Sequence, residues 1–333
     1  MSRRTGLALR WIGGWAAVFS GALLLGGWPA LGEESRLVRL GEVKLKLKKF
    51  EFEKFKNLSG AGVAGNYIVV CDDESPHCVY VCEWPSGKYV GAISMIPGEC
   101  DQDSDGAELD LEGIACDGNI VYVIGSHSTN KKTKRAPSRE HVFRFELNAA
   151  GGAVATPVSA SLRGVIESRA SLAPALKKAP KKGGVDIEGV AFRDGWLYAG
   201  FRGPLEEDGK AVVLKFRFDS PADGAEWLSI DLGNKSRQEG DAKVGIRDIA
   251  RVSNGFLILA GPTDDQKTPY ELHHWNGQGG TRSATHRLCD IPIESDDKAE
   301  GLTILREDAA SYEFLILYDG PKGGAPARFR LKK

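Results

Sequence analysis

Six carboxylates fall within residues 101–112, in the run DQDSDGAELDLE, and with Gly113 the stretch reads as a calcium loop. Asp101, Asp103, Asp105, Gly106 and Glu112 satisfy the pattern D-x-[DN]-x-[DN]-G-x5-E. Calcium is a hard cation that collects oxygen ligands, so alternating aspartates are the right chemistry. An EF-hand also needs a helix on each side. Here VGAISMIP precedes the loop and GIACDGNIVYVIG follows it, both with the apolar patterning of strands, and Glu108 stands where EF-hands place an apolar residue. The EF-hand is therefore excluded. Two readings remain for Asp101, Asp103 and Asp105: a calcium loop between strands, or a solvated acidic linker.

The elements that must position this chemistry come from a repeat. The segments LSGAGVAGNYIVVCDD, LEGIACDGNIVYVIGSHS, IEGVAFRDGWLYAGFRGP, IRDIARVSNGFLILAGP and AEGLTILREDAASYEFLILYDGP share one plan. An apolar residue, a polar residue and usually glycine open a short strand; a turn and a second, stronger strand follow. The polar residues are Ser59, Glu112, Glu188, Arg247 and Glu300, spaced by 53, 76, 59 and 53 residues. Two further strand-like stretches follow most units. Four short strands repeated about every 50 residues are the signature of a β-propeller. The expectation is an all-β chain of five blades, six being the alternative. The last unit has only three strands, and the alternating segment LVRLGEVKLKLKKFEFEKF near the N-terminus is expected to supply its outer strand and close the ring. The long interval holds SRASLAPALKKAPKKGG, read as a helical or loose insertion near 165–185.

The chain has 333 residues and a formal net charge of −1, with 42% hydrophobic residues, ample for a large core. The basic clusters KKTKR and KKAPKK read as solvated loops, and nothing in the balance points to nucleic acid. Residues 1–32 carry Arg3, Arg4 and Arg10, then an apolar run, then small residues at Ala30 and Gly32. This is the layout of a secretory signal, with cleavage expected after Gly32, no membrane span thereafter, and a periplasmic or extracellular destination. Export permits disulfides among the six cysteines. Cys71 and Cys78 flank a turn and are the expected pair; the other four cannot be paired from sequence.

In a propeller blade the innermost strand begins on the face where the second strand ends. That rule gathers Glu112, Glu188, Glu300 and Arg247 with Asp72, Asp73, His127, Arg202 and Asp319 at one mouth. Clustered carboxylates repel by about 1–4 kcal/mol per pair at 4 Å. They must protonate, pair with arginine or take a cation, and calcium is the natural candidate outside the cytoplasm.

The ordered motifs DIEG, RGP, GIRD, AGP and EG…YDGP resemble those of the bacterial domain-of-unknown-function 3616 family, over roughly residues 59–321. The resemblance implies a propeller-like fold and no particular activity. A fainter similarity runs to exported propellers of the phytase and gluconolactonase type, where an acidic residue beside glycine helps hold a divalent cation.

Two functions of different class are consistent with these residues. One is an exported binding propeller that takes a small molecule or protein at the mouth, with calcium held by Glu112, Glu188 and Glu300. The other is a metal-dependent hydrolase of a phosphoester, ester or lactone, with Arg202 and Arg247 holding an anionic group and His127 moving protons. The chain has no G-x-S-x-G, H-E-x-x-H or Gly-rich phosphate loop.

Overall fold

In the computed structural model, twenty strands are formed by the described residues, which are 36–46, 57–73, 77–98, 100, 108–238, 240–294, 297–320 and 326–333. They lie in one compact unit, Ser35–Lys333. The expected signal segment 1–32, Asp101, Asp103, Asp105 and the stretch 47–56 lie outside the described residues. Strand β1 (Leu37–Glu42) comes first. The first blade is β2 (Leu58–Ala64), β3 (Tyr67–Asp72), β4 (Cys78–Glu83) and β5 (Tyr89–Ser94). The second is β6 (Leu111–Asp117), β7 (Ile120–Gly125), β8 (Val142–Glu146) and β9 (Val158–Ala160). The third is β10 (Asp186–Arg193), β11 (Trp196–Gly203), β12 (Ala211–Phe216) and β13 (Glu226–Ile230). The fourth is β14 (Val244–Val252), β15 (Gly255–Pro262), β16 (Tyr270–Trp275) and β17 (Thr285–Ile291). The fifth is β18 (Lys298–Glu307), β19 (Ser311–Asp319) and β20 (Ala327–Lys332), completed on its outer edge by β1.

The ring is a five-bladed propeller, and its closure is the one expected from the alternating N-terminal segment. Leu37 pairs with Leu331 and Glu42 with Ala327, antiparallel, so the first and last described strands share one sheet. A bare β20 edge would present unpaired backbone groups; β1 takes them up.

The core is divided into five wedges, one between each pair of neighbouring blades. Period-two alternation sends Val69 and Cys71 of β3 toward the second blade and Ile68 and Val70 toward the fifth. A strand buried on both faces cannot alternate polar with apolar, which is why the second strands read as unbroken runs such as IVYVIG. The same alternation corrects the expected disulfide. Cys71 faces one wedge beside Val79, whereas Cys78 faces the other, and Cys78 instead bonds Cys100 with Cα atoms 5.8 Å apart. Cys71, Cys82, Cys116 and Cys289 are free.

The insertion is helical rather than loose. Helix α1 (Arg163–Ser168) and 3-10 turns at Ala173–Lys177 and Pro180–Lys182 bury Val165, Ile166, Leu172 and Leu176 in the wedge between the second and third blades.

Near its start each inner strand carries one extra residue against its partner. Between Leu58 and Gly60, Leu111 and Gly113, Ile187 and Gly189, Ile246 and Asp248, and Ala299 and Gly301 the register slips by one. The residues left over are Ser59, Glu112, Glu188, Arg247 and Glu300. A bulge re-aims its extra side chain out of the pleat, so one side chain per blade is released from the sheet pattern at the same level. Glycine follows in four blades because the next inner strand is close: a Cβ on Gly189 would lie 2.6 Å from Asp248 Cα, and one on Gly113 would lie 2.9 Å from Val190 N.

Gly189→Ala is therefore expected to lower unfolding free energy by about 2 kcal/mol or more. Gly164→Ala in α1, where a Cβ meets nothing within 4 Å, is expected to be neutral or to stabilise by up to about 1 kcal/mol. Urea unfolding of the two variants beside the parent checks both.

Candidate functional site at the axial mouth

The five bulged residues form an uneven ring. Ser59 donates to the carbonyl of Leu111 at 2.5 Å and ties the first blade to the second. Glu112, Glu188 and Glu300 are buried, and one carboxylate oxygen of each lies within 4.8 Å of the others. Arg247, from the blade between those of Glu188 and Glu300, joins them: Nη1 donates to Glu188 Oε2 at 2.5 Å and Nη2 lies 3.1 Å from Glu300 Oε1.

A second arginine supports the first. Residues Asp186–Ile187 pair with Gly203 and Phe201, leaving Arg202 as the extra residue of β11. Its Nη1 lies 2.8 Å from Glu188 Oε1 and its Nη2 lies 2.5 Å from Asp186 Oδ2. Both oxygens of Glu188 are thus occupied by guanidinium groups. Burial would raise its pKa, but Arg202 and Arg247 outweigh it and hold Glu188 below the ordinary carboxylate range.

Glu112 is in the opposite situation. Among the described residues its carboxylate forms no hydrogen bond or ion pair, while burial, Glu188, Asp110, Asp73 and Glu300 all disfavour its charge and push its pKa well up. Burial likewise raises Glu300, with Arg247 opposing it. Asp73, at the end of β3, is driven to about 9 by burial, then by Glu300 and Asp110, and its Oδ1 has no hydrogen-bond partner. The mouth is accordingly bipolar. One half carries Arg202 and Arg247 with Asp186, Glu188 and Glu300; the other gathers Glu112, Asp73 and Asp110, carboxyl groups that burial shifts upward. Asp110 is raised by burial, against the pull of Arg139 at 2.7 Å.

His127 lies elsewhere. Its Nδ1 is 2.9 Å from the carbonyl of Gly125, and its Nε2 accepts from the Leu162 backbone N–H at 3.3 Å, just before α1. Two donors cannot face each other, so Leu162 N–H requires a lone pair on Nε2 and fixes the neutral Nδ1–H tautomer. Burial lowers its pKa to about 4. The residue anchors the insertion, and both its ring nitrogens are committed to that anchoring.

Three residues of the mouth escaped sequence reading. Asp186 sits two positions before Glu188, on the same face by strand period, and that was the available signal. Asp248 stands where the other blades have glycine; its carboxylate accepts from Leu302 N–H at 2.6 Å and Ile249 N–H at 2.7 Å, sewing the fourth blade to the fifth. Ser59 makes the corresponding backbone tie between the first and second blades, as a donor to Leu111. Lys298, which pairs with Asp319, gave no signal beyond its place before Glu300.

The family described as "Protein of unknown function (DUF3616)" matches the chain over residues 91–150 and 146–330. No curated protein matches it. Among solved structures, Myxococcus xanthus glutaminyl cyclase is similar at 9% identity and TM-score 0.44, covering 83% of this chain and 90% of that one. The subtype N11 neuraminidase-like protein of A/flat-faced bat/Peru/033/2010 (H18N11) matches at 13% and 0.40, covering 81% of this chain and 70% of that one. The RRP9 WD40 repeats match at 12% and 0.40, covering 83% and 94%. At these scores the likenesses carry no argument about the site.

The neutral lock on His127 has a measurable consequence. Its folded pKa of about 4 lies below the unfolded value of roughly 6.5. Between these values the unfolded chain binds a proton that the folded chain refuses, so stability falls as pH drops through the window, by roughly 3 kcal/mol in all. His127→Gln cannot titrate there. Denaturant unfolding at pH 7, 5.5 and 4.5 is expected to show the gap between parent and variant shrinking as pH falls.

Proposed function

This chain belongs to the DUF3616 family, and from that premise we propose that it is an exported binding propeller holding a divalent cation, calcium, among Glu112, Glu188 and Glu300. The observation that carries the reading is the Glu112 carboxylate, buried, without a cationic partner among the described residues, and within 4.8 Å of two further glutamates. That spacing is about twice a calcium–oxygen distance of roughly 2.4 Å, so one ion can touch all three, and waters complete a coordination shell of six to eight. Arg247 leaves Glu300 Oε2 and both oxygens of Glu112 for the ion, and each Glu188 oxygen keeps a second lone pair beside its guanidinium. Asp73 and Asp110 stand close enough to raise Glu112 electrostatically and add to the field that attracts a cation. Export is supported by the basic and apolar N-terminal sequence and by the Cys78–Cys100 disulfide. Among the described residues no helix is long and apolar enough to cross a membrane.

The hydrolase reading relied on His127 for proton transfer, and a ring with both nitrogens engaged and a pKa of about 4 gives that role no support. Binding is the better reading of this geometry.

The test is calorimetric titration of calcium and magnesium into chelator-stripped protein, with thermal unfolding in parallel. Calcium is expected to bind and raise the melting temperature, adding about 2.7 kcal/mol at a hundredfold excess over Kd. Glu112→Gln is expected to keep the stability of the stripped parent, because glutamine has the same shape and Glu112 has no ion pair to lose among the described residues, and to lose the calcium response. A parent that shows neither heat nor shift removes the cation from the site.

A further inference from the structure

Beside the glutamates, between the third, fourth and fifth blades, lies a cavity of about 570 Å³. This is within the size range of pockets that enclose small organic ligands. Its floor includes Arg202 and Arg247, and its apolar wall is built from Pro262, Pro269, Tyr270 and Ile293. Lys181, brought there by the insertion, and Lys298 stand at its edge.

We propose that this cavity binds a small organic monocarboxylate, with its carboxylate against Arg202 and Arg247 and its apolar body against the proline, tyrosine and isoleucine wall. The inference rests on the binding reading above but not on the cation, since neither arginine is a ligand of the ion.

The donor inventory selects the charge. The terminal nitrogens of Arg202 and Arg247 are committed to Asp186, Glu188 and Glu300. The Nε of each is buried and has no hydrogen-bond partner. An unsatisfied buried N–H is costly, and in each guanidinium the Nε–H is a donor with no acceptor, beside the second hydrogens of the terminal nitrogens. Two single donors match the two oxygens of one carboxylate, and hydrogen bonds from a guanidinium to a carboxylate are among the stronger ones. A phosphate dianion fits less well. Its second charge would face Asp264, Asp265 and Asp297 around the rim and the glutamates behind the floor.

The probe is 3-phenylpropanoate, titrated by calorimetry into the full protein in chelator and again in calcium, beside 3-phenylpropanamide and inorganic phosphate. The carboxylate is expected to bind in both conditions, at least about tenfold more tightly than the uncharged amide, the weight of one charge-assisted hydrogen bond. Arg202→Lys keeps the charge but loses the Nε donor, and is expected to weaken the carboxylate at least about tenfold. Thr268→Trp, a filling change at the cavity wall away from the ion pairs, is expected to abolish binding with the melting temperature held. Equal binding of acid and amide, tighter binding of phosphate, or an unchanged Arg202→Lys affinity with the fold intact would each overturn the assignment. Glu112→Gln separates the two sites. If calcium binding fails while the carboxylate still binds in chelator, this proposal stands and the cation reading falls. Carboxylate binding that appears only with calcium and vanishes in Glu112→Gln places the ligand on the ion instead, and the arginine assignment is wrong.

Discussion

Like charges brought together on a narrow axis are the constraint from which the rest of the mouth follows, and the guanidinium of Arg247 between Glu188 and Glu300 is the contact that makes it tolerable. Five inner strands converge with one bulged side chain each, and three of the five are glutamates. Without a cation from the intervening blade, Glu188 and Glu300 would face each other across a few ångströms of protein interior. Arg202 reinforces the arrangement from the second strand of the third blade, turned toward Glu188 by a bulge of its own. Buried ion pairs of this kind contribute little net stability compared with apolar packing; what they do is specify one arrangement and make the loss of a single partner costly.

The pairing is incomplete on purpose or by geometry, and in either case it divides the mouth. Two arginines serve Asp186, Glu188 and Glu300; Glu112 and Asp73 are left to burial and to one another. An acid in that position is either a neutral hydrogen-bonding group or a waiting cation ligand. The same bulge that releases the glutamates also explains the glycines beside them. Where the next inner strand passes within 3 Å of a would-be Cβ, no side chain fits, and where the fourth blade departs from the rule, Asp248 uses the gap to bond Leu302 and Ile249.

Much of this was legible in the sequence because a propeller repeats its local rules. The unit of polar residue and two strands recurs five times, with glycine after the polar residue in four, and that recurrence alone puts Glu112, Glu188, Arg247 and Glu300 in equivalent places. The missing fourth strand of the last unit, together with an alternating N-terminal segment, implied how the ring closes. Strand chemistry is short-range: period, turn glycines and apolar runs are carried by neighbouring residues, and five copies of the same signal reinforce one another.

What tertiary structure alone decided is which groups face each other. Cys71 and Cys78 are close in sequence and on adjoining strands, yet the pleat sends them into different wedges, and Cys100 is the partner that the loop returns to Cys78. His127 ends a second strand as the repeat requires, but α1, an element outside the repeat, supplies the N–H that takes its ring. Asp186 gains its partner Arg202 from the bulged second strand of its own blade, and Asp248 gains Leu302 from the next blade. Sequence by itself determined the architecture and the level at which the functional side chains emerge, because those depend on local periodicity. The pairing of charges, the disulfide and the shape of the cavity depend on contacts between residues dozens of positions apart, and only the closed ring brings those together.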